Sequence, residues 1–253
     1  MPRIHHATRE IQFKVVYYGP GMSGKTTNLE QIHKKSNPAH RGKLVSLTTE
    51  SERTLFFDLL PVDLGNFRGY AVRLHLCTVP GQIALDETRR LVLRNVDGIV
   101  FVVDSQPERL DANVASLRNL EANLLLQGDD PSRMPLVVQY NKRDLSTALS
   151  HEMLQQELGI TDEVRQIEAC AVRGQGVFDT FKAITKACMA VVGDPKKMPE
   201  GRSISALPAA KHASMFPLAA SGPADRNEVR DYAASLGLEM PKSPRLPRVD
   251  ALP

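Results

Sequence analysis

Phe13-Lys-Val-Val-Tyr-Tyr18, running straight into Gly19-Pro-Gly-Met-Ser-Gly-Lys25-Thr26, decides the fold of this chain. An apolar run ends on a GxxxxGK[ST] pattern, and Thr27 to Lys35 behind it reads as a helix. Strand, glycine-rich loop and helix in that order form a phosphate-binding loop. Gly19, Gly21 and Gly24 let the backbone curl with its N–H groups, those of Ser23 and Thr27 among the loop residues, pointing inward. The helix N-terminus adds positive potential there. In such a loop Lys25 reaches the β- and γ-phosphates, and the Thr26 hydroxyl ligates Mg²⁺. Without the flanking strand and helix the same letters would be a glycine-rich turn of no function.

The loop implies a nucleoside triphosphate, and the base is read elsewhere. Asn141-Lys-Arg-Asp144 follows the apolar run Leu136 to Tyr140, which has the pattern of a buried parallel strand. A carboxylate at Asp144 accepts from both N1–H and the exocyclic amine of guanine. Adenine offers neither donor, and an unpaired buried polar group costs about 1–3 kcal/mol, more when charged. Asn141 would brace the loops around the base, and the Lys142 stem would cover the ring. Alone, the tetrapeptide is a solvated turn. At a strand end downstream of a phosphate loop, it points to GTP and GDP.

Two further segments complete the set. Thr78-Val-Pro-Gly-Gln82 follows the alternating strand Tyr70 to Leu76. Gly81 there can offer its N–H to the γ-phosphate, and Gln82 can orient the attacking water. Cys170-Ala-Val172 follows Val164 to Ile167, where the Ala171 N–H can meet guanine O6 with Val172 beside it.

These four segments in this order resemble a small Ras-like GTPase. Longer stretches resemble the bacterial MglA family of gliding-motility and cell-polarity GTPases: Tyr17 to Leu29, Thr49-Glu-Ser-Glu-Arg-Thr-Leu-Phe-Phe-Asp58, Thr78 to Gln82, Asp104-Ser-Gln106 and Gln139 to Asp144. The resemblance covers about residues 8 to 193. It implies that Thr54 is the switch threonine that joins Thr26 on Mg²⁺. It also implies that Arg53 is an arginine finger supplied in cis, whose guanidinium meets charge on the transferring phosphoryl oxygens. Taken without the resemblance, Arg53 is a solvated loop cation. Ras-type proteins carry Asp where this chain has Thr78, and MglA-like ones share the threonine. The metal site would then rest mainly on Thr26, Thr54, phosphates and waters. The resemblance further implies an activating partner of the roadblock fold, MglB-like, and a cytoplasmic protein recruited by partners to cell poles or the membrane surface.

Composition sets the outer limits. The 253 residues are 42% hydrophobic and 24% charged, enough for one α/β domain and an extension. A net charge of +3 gives no argument for nucleic acid. Cys77, Cys170 and Cys188 lack metal or redox spacing and read as buried thiols of a reducing compartment. No run is long enough to span a bilayer. Pro2 and the terminal Asp-Ala-Leu-Pro give no lipid-anchor signal, and the stretch around His5 and His6 reads as a loose end.

Strands are expected near 11–18, 43–49, 70–78, 97–104, 135–140 and 164–168. Helices are expected near 25–35, 82–95, 108–126, 150–157 and 175–191. The alternation predicts a Ras-like, mostly parallel six-stranded sheet with helices on both faces, so that all four segments share one sheet edge. Leu110, Val114, Leu117, Leu120, Leu124 and Leu125 form the expected core stripe of the 108–126 helix. The apolar patch Leu55-Phe-Phe57 and Leu59-Leu60 reads either as internal packing or as a partner face.

The GTPase domain is expected over 1–194. From 195 to 253 Pro, Ala and Ser take over, which reads as a flexible tail with one possible short helix near 225–238. This tail, and Ile83 to Thr88 in place of aromatic residues after Gln82, depart from the MglA pattern. Two other classes stay open: a GTP-binding scaffold with little turnover, and a P-loop ATPase, against which Asp144 argues.

Overall fold

The computed structural model describes residues 2–49, 52–81 and 85–193. Its order is β1 (Arg3–His5), β2 (Glu10–Tyr18), α1 (Lys25–Lys35), β3 (Val45–Thr49), β4 (Glu52–Phe67), β5 (Tyr70–Thr78), α2 (Asp86–Leu93), β6 (Gly98–Asp104), α3 (Leu110–Leu126), β7 (Leu136–Asn141), α4 (His151–Glu157), β8 (Arg165–Glu168) and α5 (Val177–Gly193). The sheet runs β3-β4-β5-β2-β6-β7-β8, with β1 on β2. Pairings from β5 through β8 are parallel, while β3–β4, β4–β5 and β1–β2 are antiparallel.

The parallel core follows from the apolar runs. β6 and β7 are buried at every position, as strands covered on both faces must be. The main core gathers Phe13, Val15, Tyr17, Leu29, Ile32, Leu74, Leu76, Val100, Val102, Ile184 and Cys188. All three cysteines are free and buried. Among the described residues no helix is long and apolar enough to cross a membrane.

The α/β class and the site edge agree with the sequence reading. The strand count does not: among the described residues the sheet has eight strands rather than six. The stretch around His5, read as a loose end, is β1. It pairs antiparallel with Gln12 to Glu10 of β2, and β6 joins β2 only from Val15 onward. His6 Nδ1 lies 2.9 Å from the Tyr70 hydroxyl. The other addition is β4, sixteen residues long and hydrogen-bonded to β3 and β5. Phe57, Leu59 and Leu60 are buried in it, so this part of the apolar patch is internal packing.

The α3 stripe also needs one correction. Leu117, Leu120 and Leu124 face the core, but Leu125 is 64% exposed. Asn113 and Asn123 take buried positions instead, because each has partners there. The expected tail beyond 194, its short helix over 225–238, and Gln82 lie outside the described residues.

Candidate nucleotide site

The loop after β2 is built by its glycines. Gly24 enters α1 with φ +100, and a Cβ there would sit 2.2 Å from the Asn141 carboxamide nitrogen. No side chain caps α1, and its first turn carries no acidic residue. Its N-terminus therefore keeps its positive end open to an anion. Lys25 is buried, and its Nζ donates to the Gly19 and Pro20 carbonyls at 2.9 and 2.7 Å. Burial, followed by the positive charges of Arg89 and Arg109, pushes its ammonium down to about 7. Such a cation gains from an anion beside it.

Gly81 closes the loop from above. A Cβ on Gly81 would lie 2.2 Å from Gly21 Cα and 2.3 Å from Gly21 N, so two backbones meet where only glycine fits.

Asn141 joins the remaining segments. Its Nδ2 donates to the Ser23 carbonyl at 2.7 Å, and its Oδ1 accepts from the Ala171 N–H at 2.9 Å. The Ala171 N–H, expected to face guanine O6, is thus engaged by Asn141 in this structure. Lys142 takes φ +66, and its Nζ donates to Asp104 Oδ2 at 2.6 Å and to Gln106 at 2.9 Å. Asp144 is exposed. A hydrogen bond from the Cys170 thiol, then one from its own backbone N–H, holds its carboxyl below the usual range. Met22, Gly24, Thr27, Asn141, Lys142, Asp144, Ala171 and Val172 line one cleft.

The sequence-derived residues Gly19, Gly21, Ser23, Gly24, Lys25, Thr26, Thr27, Gly81, Asn141, Lys142, Asp144, Ala171 and Val172 therefore share one sheet edge. Arg53 and Thr54 lie in the β4 backbone, and their side chains are outside the described residues, as is Gln82.

Sequence reasoning missed Asp58. Its carboxylate is 1% exposed and accepts from three hydroxyls: Thr26 at 2.6 Å, Ser46 at 2.6 Å and Thr78 at 2.9 Å. Its own N–H donates to Thr78 Oγ1 at 2.8 Å. The residue whose identity looked anomalous, Thr78, thus holds a carboxylate that comes from the neighbouring strand and reaches the Thr26 hydroxyl. The missing aspartate at position 78 was the available signal. Only the antiparallel β4–β5 register, with Leu59 opposite Cys77, shows that Asp58 stands beside Thr78. Sequence reasoning also missed the buried Asn28–Gln139 pair, whose side-chain amides exchange hydrogen bonds at 2.8 and 2.9 Å beneath the phosphate loop.

A phosphate loop ahead of an uncapped helix, an Asn-Lys-x-Asp loop tied to it, and a parallel sheet between them define a small GTPase. A model of the ADP-ribosylation factor family matches residues 3–188, and the chain belongs to that family, to its MglA type. It is 52% identical over 186 residues to the mutual gliding-motility protein MglA of Myxococcus xanthus (strain DK1622), covering 74% of this chain and 95% of that protein. It is 28% identical over 193 residues to ADP-ribosylation factor-like protein 4D of Homo sapiens, 72% of this chain and 88% of that protein. Over 112 residues it is 28% identical to ADP-ribosylation factor-like protein 3 of Caenorhabditis elegans, 43% of this chain and 59% of that protein.

Proposed function

We propose that the chain is a GTP-driven switch for cell polarity or gliding motility, with slow intrinsic turnover that a roadblock-fold, MglB-like protein accelerates. The observation that carries the nucleotide reading is Asn141, whose one carboxamide ties Ser23 of the phosphate loop to Ala171 beside the Asp144 cleft. The motility reading is supported by the 52% identity to a gliding-motility protein.

In this reading the N–H groups of the phosphate loop and the Lys25 ammonium hold the phosphates. The Lys25 contacts to Gly19 and Pro20 exchange for phosphate oxygens. Asp144 reads guanine, and Lys142 covers its ring. Gln82 orients water, Arg53 meets developing charge, and Gly81 and Thr54 order the two switch segments around GTP and release them after hydrolysis. The hydroxyl of Thr26 beside a buried carboxylate is a donor set that suits a hard cation. Thr26 and Thr54 would hold Mg²⁺, with Asp58 supplying the charge that Thr78 lacks. When bound, Mg²⁺ neutralises charge on the phosphate oxygens.

The test is base selection by the purified chain. GDP is expected to bind and to resist displacement by ATP. Asp144→Asn is expected to shift preference from guanine toward xanthine nucleotides by about tenfold or more, because xanthine O2 accepts from the new amide. Displacement of GDP by ATP at parity with GTP would return the chain to the ATPase class.

A further inference from the structure

We infer that Arg109 is a positioning residue for the γ-phosphate end of the loop, an inference that rests on the nucleotide reading above. Arg109 closes the short turn Pro107–Arg109 between β6 and α3. Its guanidinium Nη2 donates to the Gly21 carbonyl at 2.6 Å, across 88 residues of sequence. Its Nε is buried and makes no hydrogen bond among the described residues, lying 3.7 Å from the Asp104 carboxylate. That carboxylate has no exposed side-chain surface and also accepts from Lys142 Nζ at 2.6 Å. A buried anion fixed at the end of β6 therefore orients two cations. One reaches the base-reading loop and the other reaches the phosphate loop.

The point of contact gives Arg109 its role. Gly21 is the residue against which Gly81 packs, so its carbonyl sits where the phosphate loop meets the segment leading to Gln82. A cation on that carbonyl fixes the peptide plane and with it the direction of the following N–H. Charge-assisted hydrogen bonds to a backbone carbonyl are the stronger kind, and the planar guanidinium spans Gly21 and Asp104 at once. Because the contact lies where Gly21 meets Gly81, the residue read as facing the γ-phosphate, its effect should grow with the number of phosphates.

The full chain, wild type and Arg109→Ala, would be loaded with fluorescent GMP, GDP and a non-hydrolysable GTP analogue, and dissociation of each followed. The expected result is about tenfold faster release of the GTP analogue, a smaller effect on GDP and no change for GMP. Arg109→Lys, which keeps a cation but cannot span both partners, should recover part of the loss. Arg109 is partly exposed, so the variant should fold, and a thermal melt with GMP bound serves as the control. Unchanged release of the GTP analogue would overturn the inference. An equal acceleration of all three nucleotides would overturn it too, since that marks general loosening. If wild type retains no guanine nucleotide, the function reading itself falls, an outcome distinct from a variant that behaves like wild type.

Discussion

At the scale of the residue, Lys25 has the most direct consequence. Its ammonium is held down to about 7 by burial and by neighbouring cations. Because its folded value lies below the ordinary lysine value, the charged form costs stability at neutral and acid pH. That cost fades as pH rises from about 7 toward 10.5. Phosphate oxygens beside Nζ restore the charged form, so binding takes up a proton above the free-state value. GDP affinity is expected to fall as pH rises through the range above about 7, by up to about tenfold per pH unit. Calorimetry near pH 8 in buffers of different ionisation enthalpy should detect uptake of close to one proton, roughly the full linkage. Binding with no proton exchange there would mean that Lys25 is already charged in the free protein.

At the scale of the element, β4 separates what the sequence discloses from what it hides. The strands of the parallel core were legible because both faces are buried and their apolar runs are continuous. The phosphate loop was legible because glycine spacing is itself the geometry. β4 was not, since Pro61, Gly65 and Asn66 interrupt it and it shows no clean alternation. The structure resolves the proline: its carbonyl accepts from the Gly42 N–H, so its missing N–H faces that same side and not the β5 ladder. With β4 unread, its register was unread, and so was Asp58. Phe57, Leu59 and Leu60 are buried in this same strand, on its two alternating faces. Asp58→Asn keeps an acceptor for the hydroxyls but removes the charge. It is expected to raise the Mg²⁺ concentration needed to retain GDP by about tenfold, the cost of one charged partner, while leaving GDP release in excess chelator unchanged. An unaltered Mg²⁺ requirement would make Asp58 a structural acceptor for Thr78 and Ser46 alone.

At the scale of the whole molecule, the matched length bears on the 195–253 segment. The 186 residues shared with the Myxococcus protein cover 95% of that protein but 74% of this chain. Every site residue lies before α5, and α5 itself places Ile184 and Cys188 in the core. The last structural requirement of the sheet is thus met by Val177–Gly193. We propose that 1–194 folds and turns over nucleotide by itself and that 195–253 serves partner choice. Removal of residues 196–253 is expected to leave GTP turnover within about twofold and the melting temperature within a few degrees, the range of changes that touch no core contact. Capture of host proteins on GDP- and GTP-analogue-loaded protein should then differ between the full and shortened chains. A loss of turnover on truncation would instead mean that the segment supports the nucleotide edge directly. The phosphate loop, Asn141 and Asp144 would then be an incomplete account of what holds GTP.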